Sequence, residues 1–418
     1  MRKDTNKRLQ FNAFKKKNKK STQVERFKPT HQSKARKTQD FWAQLSKHRM
    51  DILIRAAIVL AVLVLATAFF YFRHQNKVYE TYEVISTSEV SITSGMQVRR
   101  FEKTLLLYGN DGAKCIDAKG NVVWNVTFEM QNPMVDISSN VVGIADYNGS
   151  KIYMMSDSET LGEINTGMPI RNFRVSPKGL AIAVLDDAVT TPIYLYDTAG
   201  EQKAYFSTTM RNSGYPVALG ISDSGYLVGI SYLYVDNGNF KTNIAFYNFG
   251  EVGKNQTDNL VSGYTYANAI VPQMEFVSDD RAIAIADNRL MFYGGNEKPV
   301  SDGEVLLQED IVSTFYGEHY VALVHNNTEG EMRYRIDIYG ADGKKKDSVL
   351  FDEAYREIFF DGDRVVIYNS ERCLIHRIGG IDKFNGEFDK PILAMAPTNV
   401  SNRFILISSD GVRTIELK

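Results

Sequence analysis

The chain has 418 residues, 44% of them hydrophobic and 24% charged, with a formal net charge of −1 at pH 7. This ordinary composition, over a length well above the ~150 residues of a typical domain, excludes a wholly disordered chain. The charge is unevenly distributed: residues 1–50 contain 16 Lys and Arg against 3 Asp and Glu, and the remainder contains 33 against 47. Two parts of the chain therefore carry opposite charge, +13 and −14, which indicates different surroundings or partners.

Residues 1–50 are predicted to form a basic, disordered cytoplasmic tail. The segment is polar, and its lysine cluster at residues 15–20 lies close to Phe11 and Phe14. Adhesion to anionic lipid is one interpretation of this cluster, and contact with nucleic acid is another. A solubilising tail that sets membrane topology is the third. We expect anionic lipid near the tail and no nucleic acid.

Residues 51–73 are predicted to form a single transmembrane helix. The run at residues 52–72 contains one charge, Arg55, and at 1.5 Å per residue it spans a hydrocarbon core of about 30 Å. The basic excess before it places the N-terminus in the cytoplasm and the acidic remainder outside the cell membrane. A cleaved signal peptide is the alternative, because residues 66–68 read Ala-Thr-Ala, the small-x-small form of a cleavage site.

Residues 74–81 are predicted to be a linker, and residues 82–418 alternate short apolar runs with Gly, Asn, Asp and Ser turns. This pattern is typical of an all-β fold with many short strands. Two parts of one unit recur along the segment. The first turn and second strand recur at residues 175–184, 221–230 and 277–286, and the third strand, turn and fourth strand recur at residues 114–126, 194–206 and 335–351.

Aligning the copies gives eight units of four strands in ~40 residues, the pattern of a β-propeller blade. We therefore predict an eight-bladed β-propeller, with seven blades as the alternative. The eight first strands start near Gly95, Pro133, Pro169, Pro216, Ile270, Ile311, Tyr355 and Pro391. The last unit holds only three strands, and residues 82–91 are expected to complete its blade from the N-terminal side and so close the ring.

The segment CIDAKGNVVW is similar to the repeat of quinoprotein-like propellers, in which a tryptophan docks one blade on the next. Asp117, Ala118, Gly120 and Trp124 match that repeat with the spacing one residue shorter. Only this copy keeps the tryptophan, so we expect Trp124 to pack between blades and no quinone cofactor to bind.

Most of residues 75–418 resemble a bacterial family of unknown function, DUF5711. The matching stretches are KGNVVWNVTFEMQNPMVDI, GYPVALGISDSGYLVGISYLYVDNG, IAFYNFGEVGKNQTDNLVSGY and FNGEFDKPI. The resemblance implies a basic tail, one membrane span and an extracytoplasmic propeller of the WD40-like or quinoprotein-like kind. It implies a Gram-positive cell-surface protein but no activity.

The sequence offers no convincing catalytic or metal-binding set. The six histidines are scattered without the spacing of a zinc motif, and paired aspartates fall at turns, where they commonly bond their own backbone. Cys115 and Cys373 fall in non-adjacent blades and are expected to be free and buried. We therefore predict a non-enzymatic protein without metal, cofactor or catalytic residues.

Loops on one propeller face provide the candidate binding site. A propeller places the connections between blades, and those between second and third strands, on the same face. The most unusual of these are residues 185–192, 207–216, 232–240 and 262–269, which carry Arg211, Tyr215, Tyr232, Tyr234, Asp236, Tyr264 and Tyr266. Tyr and Arg are enriched at binding hot spots, which favours a protein or cell-wall ligand on this face. The alternative is that the tyrosines pack between blades.

These observations favour a membrane-anchored extracytoplasmic propeller that serves as a binding or scaffold module. The alternative is an envelope carbohydrate-active enzyme whose site lies in the propeller channel. Its candidate residues would be Arg99, Arg100, Arg171, Arg174 and Glu275, near the ends of first strands. Signalling across the membrane through the basic tail is a third hypothesis.

Overall fold

The computed structural model describes residues 32–418 except Ser91, Thr93, Ser94, Asn212 and Asn237. The chain consists of two compact units, Met1–Gln75 and Asn76–Lys418. Most of the predicted basic tail, including its lysine cluster, lies outside the described residues.

The first unit contains one long helix, α1 (Gln32–Gln75). Among the described residues it is the one helix long and apolar enough to cross a membrane, over Ile52–Arg73. Such a helix near the N-terminus is a candidate membrane anchor or signal segment. It begins at Gln32, inside the segment predicted to be disordered, because residues 32–50 contain no Gly or Pro and several good helix formers such as Lys, Arg, Gln and Ala.

The second unit is an eight-bladed β-propeller, in which each blade is a four-stranded antiparallel sheet. From the innermost to the outermost strand, the first four blades are as follows: blade 1 β2 (Gln97–Phe101), β3 (Thr104–Gly109), β4 (Gly112–Ile116) and β5 (Val122–Thr127); blade 2 β6 (Pro133–Ser138), β7 (Val141–Asp146), β8 (Lys151–Ser156) and β9 (Thr160–Asn165); blade 3 β10 (Ile170–Val175), β11 (Ala181–Leu185), β12 (Thr191–Tyr196) and β13 (Gln202–Thr208); blade 4 β14 (Tyr215–Ile221), β15 (Leu227–Asp236), β16 (Asn239–Asn248) and β17 (Leu260–Ala267).

The last four blades follow the same order. They are blade 5 β18 (Gln273–Ser278), β19 (Arg281–Ile285), β20 (Arg289–Gly294) and β21 (Val300–Leu306); blade 6 β22 (Ser313–Tyr316), β23 (Tyr320–Asn326), β24 (Tyr334–Gly340) and β25 (Lys345–Phe351); blade 7 β26 (Glu357–Asp361), β27 (Arg364–Tyr368), β28 (Arg372–Arg377) and β29 (Asp382–Glu387); and blade 8 β30 (Ala394–Pro397), β31 (Arg403–Ser408), β32 (Gly411–Leu417) and β1 (Tyr82–Ser88). Two short 3₁₀ helices, Gly253–Asn255 and Thr257–Asn259, connect β16 to β17.

Ring closure occurs in blade 8, as the sequence predicts. β1 is its outermost strand and pairs antiparallel with β32, from Tyr82 opposite Leu417 to Ser88 opposite Val412. The eight first strands begin within three residues of the predicted positions. The prediction of eight blades, and not seven, is therefore confirmed, and β1 supplies the fourth strand of blade 8.

The turn between third and fourth strands explains why the repeat is visible in the sequence. In blade 1, Asp117 Oδ1 accepts hydrogen bonds of 2.8 Å from the backbone N–H groups of Lys119 and Asn121, and Gly120 has a φ of +81°. In blade 3, Asp197 Oδ1 accepts the equivalent hydrogen bonds from the backbone N–H groups of Ala199 and Glu201, and Gly200 has a φ of +78°. Asp and Gly recur because this turn requires a side-chain acceptor and a left-handed residue.

Blade-to-blade packing supplies the core. Trp124 is buried, and its indole N–H donates a 2.7 Å hydrogen bond to the backbone oxygen of Ser156 in blade 2, which confirms its predicted docking role. The two cysteines are free and buried, as predicted, and burial raises the pKa of Cys115 to about 11. Neither thiol is a reactive nucleophile at neutral pH.

Candidate functional site

Blade 4 differs from every other blade in the length of its central hairpin. Its second and third strands, β15 and β16, have ten residues each, whereas the corresponding strands of the other blades have five to seven. The innermost strand β14 pairs with β15 only as far as Leu233, so the last three residues of β15 continue beyond it. At ~3.4 Å per residue this extension adds about 10 Å to one end of the blade.

We call the propeller face with this extension the top face. It holds the connections between second and third strands and those between successive blades, because the strands within each sheet are antiparallel. Gly238, with a φ of +83°, belongs to the tight turn at the end of the hairpin. The sequence places residues 232–240 in a loop, and the structure corrects this: most of them belong to the two paired strands.

Tyr232 lies in the core and not on the top face, which corrects its assignment to a surface site. Its exposed fraction is 2%, and its hydroxyl lies 3.0 Å from the hydroxyl of Tyr247. The Tyr247 ring in turn stacks on Phe206 of blade 3, with the ring centroids 4.1 Å apart. Burial raises the pKa of Tyr232 well above its ordinary value, so the hydroxyl stays protonated inside the interface of blades 3 and 4.

Tyr264 and Tyr266 also pack between blades, on the opposite side of blade 4. They belong to the outermost strand β17 and not to a loop, as the sequence suggests. The Tyr264 hydroxyl donates to the Pro299 backbone oxygen at 3.0 Å, and the Tyr266 hydroxyl lies 2.8 Å from that of Tyr293 in blade 5. Burial raises the pKa of Tyr266, and the alternative of inter-blade packing holds for both residues.

The remaining predicted residues lie at or near the extended end of blade 4. Arg211 is exposed in the connection from blade 3, and Tyr215 begins β14 and is also exposed. Tyr234, on the extension, is partly buried, and Asp236 ends β15. Gly214 brings the connection against the hairpin: a Cβ there would lie 2.6 Å from the Leu233 backbone oxygen.

Several apolar side chains are exposed at this end, and the sequence interpretation overlooks them. Val235 is 73% exposed on the hairpin, Met210 is 69% exposed in the connection from blade 3, and Val189 is 82% exposed in the adjacent loop of blade 3. Phe240 is exposed on the other strand of the hairpin. Their presence in the unusual loops is the signal that could have identified them. We call Val189, Met210, Tyr215, Val235 and Phe240 the apolar tip.

A second candidate site, made of polar side chains, lies on the innermost strands around the propeller axis. Arg174 of blade 3 donates from Nη1 to Asp136 of blade 2 and from Nη2 to Glu275 of blade 5, both at 2.7 Å. Its Nε donates to the Leu219 backbone oxygen of blade 4 at 3.0 Å. Since this side chain reaches from blade 2 to blade 5, it lies on the channel side of the innermost strands.

Glu275 has the electrostatics expected of a functional carboxyl group. Burial is the main cause that raises its pKa, to about 7, although Arg174 opposes the shift. The half-exposed Tyr316 of blade 6 donates a hydrogen bond to Glu275. The structure thus brings together two of the five predicted channel residues, Arg174 and Glu275, and adds Asp136 and Tyr316.

The other three arginines lie elsewhere. Arg171 lies at the start of β10, and its Nε donates a 3.0 Å hydrogen bond to the carboxylate of Asp186. Its Nη1 donates to the hydroxyl of Tyr147. Arg99 and Arg100 lie on the innermost strand of blade 1. No group of three His, Cys, Asp or Glu side chains among residues 32–418, apart from the undescribed positions, is arranged to hold a metal ion.

Comparisons with known proteins concern the propeller unit. A sequence model of a family of unknown function, DUF5711, matches residues 75–417. No curated protein matches the chain. The solved structure of BamB from Moraxella catarrhalis is similar, with a TM-score of 0.48 and 12% identity over 81% of this chain and 100% of that one. Sqt1 from Saccharomyces cerevisiae has a TM-score of 0.47 and 11% identity, over 82% and 99% of the two chains. AztD from Citrobacter koseri has a TM-score of 0.47 and 8% identity, over 72% and 92%.

Proposed function

We propose that this chain, which belongs to the family of unknown function DUF5711, is a non-enzymatic β-propeller that binds a protein on its top face. In this proposal α1 anchors the propeller in the cell membrane, with the N-terminus in the cytoplasm and the propeller outside. The propeller serves as a rigid scaffold, and the apolar tip is the contact surface.

The apolar tip is the observation that carries the proposal. Three aliphatic side chains more than two thirds exposed, Val189, Met210 and Val235, belong to two neighbouring blades and their connection. Exposed apolar groups of this kind gain free energy when a partner removes them from water, at about 25 cal/mol per Å². Arg211 and Tyr215 supply polar groups of the type that surrounds such contacts.

The base of the hairpin supports the same proposal, because buried hydrogen bonds fix it to the connection that follows β17. Thr242 donates a 2.7 Å hydrogen bond to the Ala269 backbone oxygen, and Ser231 donates one of 2.8 Å to that of Val271. Both hydroxyl groups are buried. A surface that is already ordered loses less conformational entropy on binding than a mobile loop does.

Site-specific crosslinking tests the proposed surface. A photoreactive amino acid at Val235 in intact cells is expected to capture a defined protein. The same group at Val400, an exposed valine in the turn between the first two strands of blade 8, is the matched control on the opposite face. Equal capture from both positions, or none from Val235, would contradict the proposal.

Protease treatment of intact cells tests the membrane topology separately. The basic excess before α1 and the acidic composition after it support an external propeller. External protease should therefore cleave exposed loops of the propeller without lysis. A propeller that is cleaved only after lysis would refute this orientation, whatever the crosslinking shows.

A second candidate function is supported by Glu275. A carboxyl group with a pKa of about 7, hydrogen-bonded to Tyr316 beside the axis, suits proton transfer near neutral pH. We propose an envelope carbohydrate-active enzyme as this alternative. Its test is hydrolysis or cleavage of purified cell-wall polysaccharide by the wild-type chain and by Glu275→Gln, and activity that survives the substitution would exclude Glu275 as the acid or base.

A further inference from the structure

We propose that the propeller channel binds a small oxyanion, a carboxylate or a phosphate, and that Arg100 is its principal ligand. The inference is independent of the top-face function, because it rests on a different set of residues. It starts from the contrast between two arginines on innermost strands.

Arg100 reaches out of its own blade on the channel side. It lies on β2 of blade 1, and its guanidinium carbon is 5.0 Å from the ring centre of Phe359 on the innermost strand of blade 7. Blade 8 lies between those two blades in the ring. A side chain of blade 1 therefore contacts blade 7 by passing the innermost strand of blade 8.

The innermost strand of blade 8 offers Arg100 no polar side chain on this path. The innermost strand β30 reads Ala-Met-Ala-Pro, and Ala394, Met395 and Ala396 are all buried. These side chains are uncharged, so they leave space for the guanidinium and offer it no acceptor. The cation–π contact with Phe359 holds the arginine in place without neutralising it.

Arg100 lacks the acceptors that its charge demands. Its Nε atom is buried and has no hydrogen-bond partner among the described residues. No described carboxylate forms a salt bridge with it, and the Phe359 ring is the one partner of its guanidinium within the part of the chain that the structure describes. Burying an N–H donor without a partner is unfavourable, so we take the Arg100 Nε group as a place where an acceptor from outside the chain fits.

Arg174 is an arginine of the same ring whose donors have hydrogen-bond acceptors within the chain. It donates from Nε, Nη1 and Nη2 to three different blades, as described above. The two arginines occupy comparable positions, since each extends past one neighbouring blade to the next. The chain supplies hydrogen-bond acceptors to Arg174 and, among the described residues, none to Arg100.

The chemistry of the missing partner follows from the donor. A guanidinium presents paired N–H groups in a planar fork that matches a carboxylate or phosphate. A small oxyanion can reach Arg100 because the residue is only partly buried.

Thermal unfolding of the full chain in detergent tests the site. Inorganic phosphate is added at constant ionic strength against chloride, and acetate is used in a parallel series to distinguish phosphate from carboxylate. We expect one of the two anions to raise the unfolding temperature of the wild type in a saturable manner. Arg100→Gln should weaken the apparent affinity for that anion at least tenfold.

Matched variants separate a site from a general salt effect. Arg333→Gln removes an exposed arginine in the loop between β23 and β24 and should respond to the anion like the wild type. Arg100→Lys keeps the charge but not the fork, and should bind with intermediate affinity. If Arg100→Gln and Arg333→Gln show the same anion response, or if neither anion has a saturable effect on the wild type, the proposal is wrong.

The unliganded variants give a second readout. Removing Arg174 strands two buried carboxylates and should lower the unfolding temperature markedly. Arg100→Gln removes an unpartnered charge and should leave the unfolding temperature unchanged or raise it. A large loss of stability in Arg100→Gln without anion would show that the residue has a partner within the chain, which overturns the proposal.

Discussion

The central hairpin of blade 4 has a base that β14 covers and an extension that β14 does not reach. Tyrosines in these two parts differ in burial. Tyr232 and Tyr234 are two residues apart on one strand, so they lie on the same face of the sheet. Tyr232 is buried against blade 3, whereas Tyr234 lies on the extension beyond β14 and is partly exposed. Residue type therefore does not determine which of these tyrosines is exposed; the reach of the neighbouring strands does.

The strongest test of this comparison removes a side chain from each part. Tyr232→Ala should lower the free energy of unfolding by about 4 kcal/mol, because it leaves a cavity and an unpaired Tyr247 hydroxyl. Val235→Ala should change it by less than about 0.5 kcal/mol. Denaturant unfolding measures both, and similar losses would show that the tip is packed as tightly as the base.

Glu275 extends the comparison to the channel through pH. Its pKa is raised from 4.5 to about 7 in the folded protein, so the folded state binds the proton more tightly than the unfolded state. The resulting stabilisation is present below pH 4.5 and is lost as the pH rises through 7, by about 3 kcal/mol in total. Unfolding temperatures between pH 5 and 8 should fall in the wild type, and the Glu275 contribution should be absent in Glu275→Gln. An identical pH profile in both proteins would refute the shifted carboxyl group.

The inter-blade tyrosines give a smaller effect. Tyr266→Phe removes the hydroxyl that lies 2.8 Å from that of Tyr293 and should destabilise the propeller by about 1 kcal/mol. Tyr215→Phe is the matched control, because Tyr215 is exposed and has no such buried partner among the described contacts. Calorimetric unfolding separates the two variants. Equal stability of the two variants would show that the Tyr266 hydroxyl does not stabilise the inter-blade contact.

The tip itself should give the smallest change in stability and the largest change in binding. Val235→Asp places a charge where 73% of the valine is already in water, so the free energy of unfolding should change by less than about 0.5 kcal/mol. Co-purification of the crosslinked partner should nevertheless be lost. Val400→Asp, on the opposite face, should retain it. Retention of the partner by both variants would move the binding surface away from the tip.

The propeller itself was predictable from the sequence, because each blade repeats the same local chemistry. The aspartate and glycine of the turn after the third strand, at Asp117 and Gly120, respond to needs of a few neighbouring residues. The exposure of a tyrosine is different, since Tyr232 is buried by Phe206 and Tyr247 from elsewhere in the chain. Local patterns do not specify how far one blade covers the next.

The channel shows the same difference between local patterns and contacts made by residues far apart in the chain. The sequence places Arg174 and Glu275 near the ends of first strands, but their 2.7 Å contact joins residues 101 positions apart. The sequence does not identify Asp136, because an aspartate in a strand has no distinguishing spacing. Only the closed ring determines which innermost strands share the axis.

The pairing of β1 with β32 also sets the order in which the propeller is completed. β1 is the first strand of the unit in chain order, and the strand it pairs with is the last. During synthesis β1 must wait, unpaired, until nearly all of the other strands have been made. Closing a loop of this length is slow compared with forming the local hairpins of blades 1 to 7. Until this seam in blade 8 closes, the unit exposes unpaired strand edges, with which other chains can pair.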